Sequence, residues 1–161
     1  MDVADQNHFP RRLRRLSSFD TKAYPIFFLT ICMASRVRIL AQDNVHRQFV
    51  VFCEASPTKA NVWVGKYVLM PDHIHIFVSA AGPSALSRWV GSLKKFLAAH
   101  WRREGLRGPF WQAGFFDHIL RNSESYSEKW AYIEANPVRA GLVKENASWK
   151  FAGEIHRLNW W

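Results

Sequence analysis

The stretch that most constrains this chain runs over residues 61–79. Residues 61–70 (NVWVGKYVLM) and 73–79 (HIHIFVS) are two runs rich in β-branched and aromatic residues, separated only by Pro71-Asp72. A connection that short joins antiparallel neighbours, because a parallel pair needs a crossover of a dozen residues or more. In the second run, histidine alternates with bulky apolar residues, the period of two that sends successive side chains to opposite faces of a sheet. An isolated hairpin is marginal in water and needs further strands or a covering helix. The flanking sequence has to supply that cover.

Upstream, residues 24–33 (YPIFFLTICM) predict a buried strand. Asp43-Asn44 can cap a helix through Val45, Phe49, Val50 and Phe52. Downstream, Gly82-Pro83 breaks the chain and Ser84 starts a long helix, with Leu86, Val90, Leu93, Leu97 and Trp101 forming an apolar stripe. On another face of that helix Arg88, Lys95 and Arg102 recur every seven residues. Residues 115–120 (FFDHIL) predict a short fourth strand, and Ser123 caps a last helix that runs through Tyr132 to about Asn136, where Pro137 stops it. The order is strand, helix, two strands, helix, strand, then an extra helix. It predicts an α+β fold, a ferredoxin-like βαββαβ core with an antiparallel sheet. The expected organisation is a basic N-terminal arm over residues 1–22, one domain over 23–143, and an aromatic C-terminal tail over 144–161, packed on the domain or extending it.

The charge points to a class of partner. Twenty-two lysines and arginines against 13 acidic residues leave a net charge of +9 on 161 residues, which favours polyanions, nucleic acid first. The arm carries the dense run Arg11-Arg12-Leu13-Arg14-Arg15, of the kind that reaches a phosphate backbone. Eight tryptophans and 15% aromatics could stack on bases, although filling a core is the simpler use for them. No apolar run is long enough to span a membrane. The two cysteines, Cys32 and Cys53, form no CxxC pair and no secretion signal opens the chain, so a reduced, cytoplasmic protein is expected.

His73-Ile74-His75 is the most suggestive chemical element. Residues two apart on a strand share a face about 6.6 Å apart, and two imidazoles leaning together can serve one divalent metal. Taken alone, the pattern more often describes two surface or hydrogen-bonded histidines on a half-exposed strand. Tyr132 and Asn136, four apart on the last helix, would be neighbours on one face: a nucleophile and an amide oxygen able to complete a metal site. Core packing for the tyrosine and a helix-end role for the asparagine are the plainer alternatives. Tyr126 competes as nucleophile, Glu128 as oxygen ligand, and His118 could contact phosphate, relay a proton or make a structural hydrogen bond.

Three segments, 67–75 (YVLMPDHIH), 115–122 (FFDHILRN) and 130–143 (WAYIEANPVRAGLV), resemble the REP-associated tyrosine transposases, single-tyrosine enzymes with a His-hydrophobic-His site. The resemblance covers roughly residues 24–143. It implies a ferredoxin-like nuclease whose extra C-terminal helix carries the nucleophile. His73 and His75 match the family's metal-binding histidines, Tyr132 its nucleophile and Asn136 its third ligand. The implied cofactor is Mg²⁺ or Mn²⁺, although paired imidazoles by themselves suit zinc, nickel or iron better. The implied partners are single-stranded DNA hairpins, and relatives occur as monomers or homodimers. The expected activity is DNA transposition by a metal-dependent endonuclease and strand transferase that forms a 5′-phosphotyrosine. The DNA-contacting residues expected are Arg11, Arg12, Arg14 and Arg15 of the arm, Arg88, Lys94, Lys95 and Arg102 of the long helix, and His118 and Arg121. The alternative is a catalytically silent, domesticated regulator that binds nucleic acid without cutting it. A replication-initiator or relaxase-type nickase shares the histidine pair but not the NPVRAGLV context.

Overall fold

The computed structural model describes residues 24–159. The arm, with Arg11, Arg12, Arg14 and Arg15, lies outside the described residues. Strand β1 (Ile26–Cys32) leads through a short turn to helix α1 (Asp43–Ala60). The expected hairpin follows as β2 (Trp63–Leu69) and β3 (His73–Ser79), then the long helix α2 (Pro83–Arg103) and strand β4 (Phe116–Ile119). With a fifth strand from the C-terminal tail, β5 (Ala152–Glu154), all neighbouring strands pair antiparallel, in the spatial order β4-β1-β3-β2-β5. The first four are arranged as a βαββαβ chain requires.

Alternation divides the sheet into two unlike faces. Phe27, Leu29 and Ile31 of β1 and Ile74, Ile76 and Val78 of β3 join Val45, Phe49 and Cys53 of α1 and Leu86, Val90, Leu93, Leu97 and Trp101 of α2 in the main core. The stripe predicted for α2 is therefore the buried one. The opposite face presents Phe28, Val68 and Phe77, against which Tyr126, Trp130 and Ile133 of helix α3 (Ser123–Glu134) pack. His73 and His75 lie on this second face, because they are out of phase with Ile74 and Ile76.

Three local expectations are corrected. The α3 cap is Asn122 rather than Ser123: its side chain accepts from Ser125 N at 2.8 Å, satisfying a first-turn donor. At α1 the N-cap position is Gln42, without a side-chain cap, and the Asn44 Oδ1 accepts from Val45 N instead. Pro137 does not stop the chain's helical course. α3 ends at Glu134, and Pro137 sits in the first turn of a short helix α4 (Asn136–Arg139), where a missing N–H costs nothing. Tyr132 and Asn136 are thus on two consecutive helices, not one.

The tail, unassigned from sequence, supplies strand β5 (Ala152–Glu154) on the outer edge of β2. Trp149 donates its indole N–H to the Leu69 carbonyl at 3.0 Å. Leu158 fills the place where a Cβ on Gly65 would stand, at 2.6 Å from that position, so any side chain there would displace the leucine. Among the described residues, no helix is long and apolar enough to cross a membrane.

Candidate active site

The registers of β1 and β3 set Thr30 opposite His75 and Cys32 opposite His73. The two imidazoles meet nearly edge to face, ring centres 4.7 Å apart, with their Nε2 atoms 3.2 Å apart. Each Nδ1 has a separate partner. The Asp72 carboxylate accepts from His73 Nδ1 at 2.7 Å, and the Thr30 hydroxyl lies 3.0 Å from His75 Nδ1. A carboxylate only accepts, so Asp72 fixes the His73 tautomer and leaves its Nε2 a lone pair. Thr30 can donate or accept, so His75 keeps both tautomers available; the one that donates to Thr30 turns a second lone pair toward the first.

Asp72 is itself held. Arg36 Nε donates to its second oxygen at 2.9 Å, and Arg36 Nη1 reaches Cys32 Sγ at 3.3 Å. Ser35 and Arg36 adopt left-handed backbone conformations, φ 51° and 53°, in the turn after β1. This conformation costs a non-glycine residue roughly 1–2 kcal/mol, and here it folds the guanidinium back onto the hairpin. Burial tends to raise the Asp72 carboxyl, but the hydrogen bonds from His73 and Arg36 outweigh it and hold the group below the usual carboxylate range. Burial pushes His75 down to about 3, helped by the charges of His73, Lys129, Arg139 and Arg36. Burial also lowers His73, against the pull of Asp72. Both rings are neutral near pH 7, the form that ligates a metal.

This donor set fits a divalent cation. Two nitrogens about 2.1 Å from one ion stand 3.2 Å apart when their angle lies between a right angle and the tetrahedral value. Among the described residues, no three His, Cys, Asp or Glu side chains form a metal-binding group. Glu128 therefore does not complete a site with the histidines, and a third protein ligand would have to be of another kind, such as the Asn136 amide. Its Oδ1 accepts from Arg139 Nη2, and the same guanidinium lies 4.1 Å over the Tyr132 ring. Arg139 thus joins Asn136 to Tyr132, and its charge reaches His75.

The two tyrosines differ plainly. Tyr132 is 63% exposed. It lines an open cleft of about 290 Å³ with His118, Leu120, Ser125, Glu128 and Lys129. Tyr126 is packed 4.3 Å from the Phe77 ring, and burial pushes its hydroxyl up to about 12. His118 reaches the Tyr132 cleft because β4 sets it opposite Phe28, on the α3 side of the sheet.

The remaining basic residues are divided. Arg88, Lys95 and Arg102 stand exposed on α2, so the helix and the sheet lie between them and α3. Lys94 turns its ammonium to the carbonyls of Gln112 and Gly114, where it ties down a loop. Arg121 is exposed just before α3. Sequence reading passed over Asp72, Thr30, Arg36, Lys129 and Arg139. Two of these carried a signal: Thr30 is a polar residue inside an apolar strand, and Arg139 follows Asn136 at helical spacing.

A profile of the IS200-like transposases matches residues 26–136, which takes in the whole of this geometry up to Asn136. The chain belongs to the IS200-like transposase family. It is 35% identical over 103 residues to the REP-associated tyrosine transposase of Escherichia coli (strain K12), a match covering 63% of this chain and 56% of that protein. The aligned segment thus spans little more than half of that relative. An uncharacterized protein of Haemophilus influenzae is 26% identical over 159 residues, covering 80% of this chain and 88% of its own. The fold matches the structure of a REP-associated tyrosine transposase bound to a REP hairpin, with a TM-score of 0.66 at 23% identity, over 88% of this chain and 81% of that one. The resemblance carried by MPDHIH and NPVRAGLV thus leads to the same family.

Proposed function

We propose that this transposase-family chain is a metal-dependent endonuclease and strand transferase for single-stranded DNA hairpins, working through a 5′-phosphotyrosine on Tyr132. The observation that carries the reading is the convergence of the His73 and His75 Nε2 atoms on the sheet face covered by α3, the helix that presents Tyr132 to solvent. His73, His75 and Asn136 would hold the cation, with Asp72 and Thr30 orienting the imidazoles. When bound, a divalent cation, Mg²⁺ or Mn²⁺ by family resemblance, supplies charge neutralisation at the scissile phosphate.

The chain's own residues do the rest. The Tyr132 oxygen attacks phosphorus, forming the tyrosyl–phosphate bond as the bond to the 3′ oxygen breaks. The phenolic proton departs, and the leaving 3′ oxygen takes one up to become a hydroxyl. Because a free phenol has a pKa near 10, that proton needs an acceptor, and His118 and Glu128, which line the Tyr132 cleft, are the candidates to receive it. Arg139 holds a fixed positive charge over the ring, and Lys129 lines the same cleft, where its ammonium would attract phosphate. Attack by a second 3′ hydroxyl reverses the step and rejoins the strand without ATP.

Incubation with labelled hairpin single strands tests the reading. With Mn²⁺, a protein–DNA adduct that survives denaturant should form; chelator should abolish it. Undiminished adduct in chelator would overturn the metal's role.

A further inference from the structure

The sheet face that bears His75 continues to an exposed aromatic that the proposed chemistry does not use. Phe116 lies opposite Thr30 on β4, and Thr30 lies opposite His75, so the three stand in one row on one face. Phe116 is 70% exposed, whereas its neighbour Phe115 packs against the main core. Beside this row is a cleft of about 150 Å³, walled by Thr30 and Cys32 on one side and residues 112–116 on the other. Thr30 is thus both a wall of the cleft and the partner of the His75 imidazole.

The outer wall is built, not loose. Lys94 donates to the carbonyls of Gln112 (2.9 Å) and Gly114. Gln112 N donates to the Cys32 carbonyl at 3.0 Å, and the Trp111 indole to the Lys94 carbonyl at 3.0 Å. Gly114 adopts φ +70°, which a side chain would disfavour.

We infer that this cleft seats one unpaired nucleobase of the strand engaged at His73 and His75, with Phe116 as the stacking surface. The inference rests on the reading that the chain engages single-stranded DNA. Three features select a base over another occupant. A flat ring is what an exposed phenyl beside a narrow cleft accommodates, and such stacking is sequence-tolerant. The cleft shares Thr30 with the histidine pair, and Phe116 stands two strand spacings from His75, about 10 Å, within reach of one or two extended nucleotides. The surroundings suit a polyanion: Arg36 flanks the histidines on Asp72, Lys129 lies over Phe28, and the chain carries +9. Lys94 then acts by shaping the wall rather than by touching phosphate.

The full-length protein should be titrated with a short mixed-sequence single strand carrying 2-aminopurine at one position in turn, an analogue whose emission falls when it stacks. At one or two positions the wild-type protein should quench it. Phe116→Ala should remove that quenching and weaken binding about tenfold, while Phe116→Trp keeps both. Because Phe116 is exposed, the alanine variant should melt like wild type. Equal quenching and affinity in wild type and Phe116→Ala would overturn the inference, even if wild type forms its covalent adduct on the same strand. Loss of quenching in Phe116→Ala with no adduct from any variant would instead retain the base site and remove the nuclease reading.

Discussion

At the residue scale, the histidine pair depends on partners that are not ligands. Asp72 fixes one imidazole tautomer and Thr30 permits the other, so substituting either should act on metal affinity before anything else. Asp72→Ala should weaken Mn²⁺ binding about 10- to 100-fold, the usual cost of removing the group behind a ligating histidine. Thr30→Val should cost less, because the His75 ring keeps its stacking on Phe28, centres 5.4 Å apart. Titration calorimetry of the DNA-free protein reads both; unchanged affinity in Asp72→Ala would deny it the orienting role. Asp72 also shows why sequence reveals candidate ligands more readily than the groups that would support them. Pro71-Asp72 reads as a turn, and it is one; the carboxylate's second use appears only when the hairpin folds His73 Nδ1 and Arg36 onto it. His-X-His declares its shared face through strand periodicity alone, whereas Arg36 reaches the site by a left-handed backbone that no pattern announces.

At the element scale, strong periodicity is what made the sheet and its two main helices legible. The runs at 24–33, 61–70 and 73–79 each lost no more than two residues at either end on becoming β1, β2 and β3. The α3–α4 junction is not legible in sequence, because a proline that would end a helix from its interior is compatible with a helix's first turn. β5 was illegible because three residues, one of them glycine, give no pattern; the β2 edge and the anchoring Trp149 and Phe151 define it. One contact between elements has a measurable consequence. His46 on α1 shares a 2.8 Å hydrogen bond with the Tyr67 hydroxyl on β2, and burial lowers its pKa below the ordinary value of 6.5. The folded protein therefore resists protonation there while the unfolded chain accepts it. The stability that neutral His46 contributes is complete above about pH 6.5 and is lost as pH falls through its lower folded pKa. His46→Gln, which keeps a donor for Tyr67, should flatten the fall in melting temperature between about pH 7 and pH 5. Parallel curves for the variant and wild type would rule out His46 as a source of that slope.

At the scale of the whole molecule, the sheet sorts the charge. Helix α3, the histidine pair and the Phe116 cleft share one side, and the basic stripe of α2 occupies the other. A short strand seated at the histidines should not feel Arg88, Lys95 and Arg102. Replacing all three with glutamine should leave the slope of log affinity against log salt unchanged for such a strand. If Arg11, Arg12, Arg14 and Arg15 contact phosphate, deleting residues 1–18 should flatten that slope by roughly 2 to 3 units, about 0.7 per lost contact. Affinities at three salt concentrations separate these cases, and a flattened slope in the triple variant would mean that the strand crosses to the far side. The charge excess was visible in composition; its division by the sheet was not, because a seven-residue repeat places side chains on a helix face without saying where that face points. The proposed chemistry turns on Tyr132, the exposed tyrosine joined through Arg139 to Asn136. Its most direct test is mass-spectrometric mapping of the adduct formed on a hairpin single strand with Mn²⁺, in wild type, Tyr132→Phe and Tyr126→Phe. The expectation is a phosphonucleotide on Tyr132 in wild type and Tyr126→Phe, with no adduct in Tyr132→Phe although that variant folds and binds the strand. An adduct that persists in Tyr132→Phe, or that maps to Tyr126, would contradict it.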